Sequence, residues 1–157
     1  MTDLPDAFRQ PGAAARIALI AQSHERLLGR PLVAGIADAG AWPRALWEAP
    51  LVIVAHGCEP DPLFFFGNRA ALARFEVAAE AFAGMPSRLS AEAPLREERQ
   101  ALLERVACDG FIADYAGVRI SARGRRFRIE QAAVWNLIDP AGAVHGQAAA
   151  FDRWTEL

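Results

Sequence analysis

Apolar residues recur at three- and four-residue steps over residues 13–28, where Ile17, Ile20, Ala21, His24, Leu27 and Leu28 line one stripe before Gly29 and Pro31 stop it. The spacing predicts an amphipathic helix. Residues 1–12, with Pro5, Pro11 and Gly12 and little periodicity, predict a flexible N-terminal arm. Residues 32–49 are Gly/Ala-rich and carry Trp42, Pro43 and Trp47, as a short helix or loop delivering aromatics would. The period then changes. "PLVIVAHG" (50–57) is a short β-branched run between turn residues, the mark of a strand buried on both faces, and 63–66 reads as a second strand. Asn68 opens a helix with Ala71, Leu72 and Phe75 inward, because its side chain can accept a bond from a first-turn N–H. Short pieces broken at Gly84 and Pro86 lead to a helix over 94–110, striped by Leu95, Leu102, Leu103 and Val106 and closed by Gly110.

Three strand-like runs follow, over 111–121, 125–138 and 144–151. The links "ARG" and "DPAG" are short enough for an antiparallel meander. The element order is helix, two strands, several helices, three strands. It predicts an α+β fold with helices on one face of a five-stranded antiparallel sheet. The first helix either crosses the sheet or packs on its twin from a second chain, which would give a homodimer.

Alternation in 125–138 puts Phe127, Ile129, Gln131, Ala133, Trp135 and Leu137 on one face, taken as the core face. Arg126, Arg128, Glu130, Ala132, Val134 and Asn136 fall on the other. Gln131 thus sits among apolar neighbours, where an unpaired amide costs about 1–3 kcal/mol. Gln147 poses the same problem on the next strand, near Gln131 or Trp135. The two amides bond each other, bond a helix backbone, or contact a ligand.

Seventeen Lys and Arg against nineteen Asp and Glu leave a formal charge of -2, without the positive field that nonspecific nucleic-acid binding requires. "RGRRFR" alternates its arginines along a strand at a turn and reads as a solvated edge. No apolar run approaches the ~20 residues of a membrane span, and the start "MTDLPDAFRQPGAA" lacks a signal-peptide pattern. Cys58 and Cys108 have no metal or C-x-x-C spacing, as in a reduced, cytoplasmic protein.

The stretches "VAHGCEPDPLFFFGNRAALARFE", "PSRLSAE", "REERQALLERV", "GVRIS", "GRRFRIEQAAVWNL" and "GQAAAF" resemble the MEKHLA-domain family. That family comprises small bacterial proteins and the C-terminal domain of plant class III homeodomain-leucine zipper factors. The likeness runs from about Arg16 to Trp154 and extends to the PAS sensor fold. It implies a single PAS-like domain over 13–157, a ligand or cofactor held over the sheet beneath the middle helices, and a PAS-like homodimer. It also bears on cofactors. In "GMPSRL" (84–89) Ser87 stands at the position of the flavin-bonding Cys and Pro86 at that of the Asn, which argues against a flavin–cysteinyl adduct. A heme would call for an axial His on the middle helices, and His24, His56 and His145 stand elsewhere.

Candidate ligand contacts are Gln131, Gln147, Trp135, Tyr115, Phe66, Arg88 and His56. Structural roles compete for several of them. Tyr115 can line the core, Arg88 can pair with Asp61 or Glu92, and His56 can be a satisfied histidine at a strand end. The expected function is a stand-alone PAS-like sensory domain that binds a small molecule and signals through a partner or its dimer state. The alternatives are a ligand-free dimerisation module and a small α+β enzyme. No catalytic motif supports the enzyme, and Asp114 and Tyr115, the adjacent acid–base pair, alternate to opposite faces.

Overall fold

The three- and four-residue stripe folds as α1, Ala13–Leu28, and Gly29 closes it in the left-handed conformation, its N–H bonded to the Glu25 carbonyl. The computed structural model describes residues 4–36, 38–91 and 96–157. α2 (Trp42–Glu48) buries Trp42, Leu46 and Trp47. β1 (Val52–His56) and β2 (Phe64–Gly67) follow, then α3 (Arg69–Phe75), α4 (Ala79–Phe82) and a 3-10 turn, Ser87–Ser90. α5 (Arg96–Asp109) buries Leu102 and Val106. Leu95, Glu92 and the side chain of Leu103 lie outside the described residues. β3 (Phe111–Ile120), β4 (Arg126–Ile138), β5 (Val144–Phe151) and β6 (Arg153–Glu156) complete the chain.

The sheet is antiparallel throughout, in the order β2-β1-β5-β4-β3. A sixth strand joins the five expected. β6 pairs with the first half of β4, Glu130 opposite Arg153, and β5 pairs with the second half, Ala133 opposite Ala150. All four β6 residues are exposed, so they carry none of the alternation by which a half-buried strand is recognised.

Asn68 joins three elements. Its Oδ1 accepts from Ala71 N (3.0 Å) and Ile53 N (3.1 Å), while Nδ2 donates to the Leu46 (3.0 Å) and Leu51 (2.7 Å) carbonyls. The helix cap read from the sequence is therefore also the clamp that fixes α2 and β1 against α3.

The middle helices lie on one face of the sheet, as expected, and the N-terminal helix takes the first of its two expected places, across the other face. α3 and α5 cover one face. α1 crosses the other, where Trp135 Nε1 donates to the Ile20 carbonyl (3.0 Å) and the Ser23 hydroxyl bonds both N–H (2.8 Å) and carbonyl (3.2 Å) of Ile138. α1 thus covers the sheet within its own chain. His24 lies edge-on to Trp135 and its Nδ1–H donates to the Arg30 carbonyl. Burial holds its pKa below the ordinary value of 6.5 despite that bond. Within the expected N-terminal arm, a 3-10 turn at Asp6–Phe8 buries Phe8 against Trp47 and Phe66.

Candidate ligand-binding site

β4 does not keep one alternation along its length. Gln131 has φ 50°, a region that non-glycine residues seldom occupy. Here β4 advances three residues, Ile129 to Ala132, while β3 advances two, Gly117 to Tyr115. β3 then carries its own extra residue between Tyr115 and Ile112, which restores the register. One extra residue exchanges the faces of everything beyond it. Phe127 and Ile129 face α3 and α5, but past the bulge that face belongs to Val134 and Asn136, while Trp135 turns to α1.

Between this face and the helices lies a cavity of about 50 Å³ open to the centre of a water-sized sphere. That exceeds the ~10–15 Å³ that a cavity needs to admit a water. Val54, Phe64, Phe75, Ile129, Val134 and Phe151 give it apolar walls, and His56, Ser90, Tyr115, Arg119 and Gln147 supply the polar groups.

The structure brings three of the seven candidate residues together here: Gln147, Tyr115 and His56. His56, Gln147 and Asn136 form one cross-strand row over β1, β5 and β4. Gln147 Nε2 donates to Asn136 Oδ1 (3.1 Å), Asn136 Nδ2 to the Val106 carbonyl of α5 (3.0 Å), and His56 Nδ1–H to the Gly57 carbonyl (2.9 Å). Gly146 lets this row close up, since a Cβ there would stand 2.0 Å from the His56 carbonyl oxygen.

The other four candidates lie elsewhere. The bulge turns Gln131 to solvent, where its Oε1 accepts from Arg153 Nη1 at 3.1 Å, so it neither lines the cavity nor meets Gln147. Trp135 is fully buried, but against α1. A register shift between β1 and β2 sends Phe66 to Phe8 and leaves Phe64 at the cavity. Arg88 is exposed and reaches both Asp61 carboxylate oxygens at 3.2 Å. Ser87 is fully buried outside the cavity lining, and neither Cys58 nor Cys108 lines it.

Arg119 is the site residue that sequence reasoning missed. Only 9% exposed, it donates through Nη2 to the Tyr115 hydroxyl (3.1 Å) and through Nη1 to the Val118 carbonyl (2.8 Å). Gly117 leaves room for the tyrosine ring to lie back along the strand, since a Cβ there would fall 2.2 Å from the hydroxyl. The sequence did carry a signal: Tyr115, Gly117 and Arg119 alternate onto one strand face.

A sequence profile of the MEKHLA domain matches residues 14–156. The chain belongs to the MEKHLA domain family. This MEKHLA domain is 25% identical over 146 residues to the rice (Oryza sativa) homeobox-leucine zipper protein HOX10, covering 92% of the chain and 17% of that protein. It therefore spans about one sixth of the length of that curated relative. Among solved structures, an RNA-binding Light-Oxygen-Voltage receptor superposes with TM-score 0.63 at 20% identity, over 79% of this chain and 36% of that one. The PAS domain of a LuxR-family transcriptional regulator from Burkholderia thailandensis, solved in complex with ethanol, gives 0.54 at 18% identity, over 74% and 96%. These likenesses show a PAS-like fold. No helix among the described residues is long and apolar enough to cross a membrane.

Proposed function

We propose that this MEKHLA domain is a sensory module that binds a small molecule in the cavity between its sheet and α3–α5 and passes the signal to a partner or a second copy. The observation that carries the reading is the cavity itself, where side chains from β1, β3 and β5 converge on an otherwise apolar space. The ethanol complex of the Burkholderia thailandensis PAS domain supports it, since that fold holds a molecule of only a few atoms. Binding rather than catalysis fits the lining, in which no carboxylate stands among the described residues. Two free, exposed cysteines support a reducing, cytoplasmic setting.

The small volume favours a second reading, a dimerisation or protein-interaction module with a filled interior. Native mass spectrometry, an absorption spectrum of freshly purified protein and a thermal-shift screen of small metabolites separate the two. A co-purifying mass or a saturable stabilisation supports the sensor. A protein-only mass with no stabilising compound selects the interaction module.

A further inference from the structure

We infer that Arg119 and Tyr115 form the anion-binding end of the cavity and that its ligand is a short-chain organic carboxylate. This rests on the reading of the cavity as a ligand site. The Arg119 residue is nine-tenths buried, and no carboxylate among the described residues is paired with its guanidinium. Removing a cation from water without a counter-charge is costly, so a buried arginine is ordinarily paired. Arg74, whose side chain is 12% exposed, follows that rule, with Glu156 as its partner. A guanidinium offers five N–H donors in a planar fork, and two bonds are made here, to Val118 and Tyr115.

The remaining cavity decides which anion fits. A carboxylate presents two coplanar oxygens to the fork. Val54, Ile129, Val134 and Phe151 offer apolar walls, where a short hydrocarbon body would lie and where a phosphate would lose its hydration without replacement donors. The volume of about 50 Å³ limits that body to a few carbons. Tyr115 holds the guanidinium from the side, and Gly117 permits it to do so.

The test titrates the ¹⁵N-labelled full chain with sodium propionate, sodium butyrate, propan-1-ol and inorganic phosphate at matched ionic strength, by calorimetry and NMR. The expected result is saturable carboxylate binding that shifts the Tyr115, Arg119 and Gln147 amides and is at least ~10-fold weaker in Arg119→Gln. Propan-1-ol should bind both proteins alike. Equal carboxylate affinity in Arg119→Gln, or phosphate binding more tightly than butyrate, overturns the inference. If propan-1-ol binds in the cavity and carboxylates do not, the carboxylate assignment fails and the sensor reading stands; if nothing binds, the carboxylate assignment fails, and the native mass and thermal-shift screen decide the sensor reading. Should Arg119→Gln not fold by circular dichroism, Arg119→Lys keeps the charge without the fork. Unchanged butyrate affinity in that variant is equally decisive against the inference.

Discussion

Gln147 Nε2 lies 3.1 Å from Asn136 Oδ1, and Asn136 donates in turn to the Val106 carbonyl, so two amides join β5 to β4 and β4 to α5. Removing Asn136 leaves buried groups on both neighbours without this partner. Asn136→Ala is expected to lower unfolding free energy by about 2–4 kcal/mol in urea titrations. A double-mutant cycle with Gln147→Ala should give a coupling of about 0.5–2 kcal/mol, and additive losses would mean that the bond contributes nothing in solution.

Asn68 has four side-chain hydrogen bonds at full burial. Asn68→Ala should cost about 3–4 kcal/mol, beyond the ~1 kcal/mol of an ordinary helix cap. Asn68→Asp keeps the acceptor at Ala71 but turns oxygen towards the Leu46 and Leu51 carbonyls, so it should be no more stable than Asn68→Ala. Thermal melts decide it: an aspartate variant close to the parent would reduce Asn68 to a simple cap.

Gln131 is held at φ 50° on the surface, which makes backbone shape its main constraint. Gln131→Gly should stay within about 0.5 kcal/mol of the parent, whereas β-branched Gln131→Val should cost about 1–3 kcal/mol. The core position read from alternation would have given the reverse order, so one pair of denaturation curves distinguishes them.

His24 makes stability depend on pH. Its folded-state pKa is depressed below 6.5 by burial, so just below that pH the unfolded chain takes up the proton first. The contribution is fully present above pH 6.5, falls as pH drops through the window down to the folded-state pKa, and flattens below it. His24→Phe keeps a ring against Trp135 and should show a shallower loss of Tm between pH 7 and pH 5. Parallel curves for the two proteins would exclude His24 as the source.

What could be read from sequence followed from how strongly each element is tied to local pattern. α1 announces itself by a full stripe and a terminal glycine, and Asn68 by its place before Arg69–Phe75. The face assignments failed where they rested on strict period two. An extra residue in the left-handed region leaves no mark in composition when it is a glutamine rather than a glycine, so strict alternation assigns Gln131 and Trp135 to the cavity side. The register shift between β1 and β2 likewise takes Phe66 away from the cavity. Arg119 was overlooked because an arginine in a strand is ordinarily assigned to solvent. It shares the cavity with Tyr115, Ser90 of the 3-10 turn and Leu102 of α5, a tertiary fact.

Val134 and Trp135 are consecutive residues, yet one belongs to the cavity wall and the other holds the backbone of α1 at Ile20. A single peptide unit is thus the whole thickness of the partition between the chamber and the far helix. A guest molecule that tilted the strand at Val134 would have no intervening layer to absorb the tilt on the α1 side.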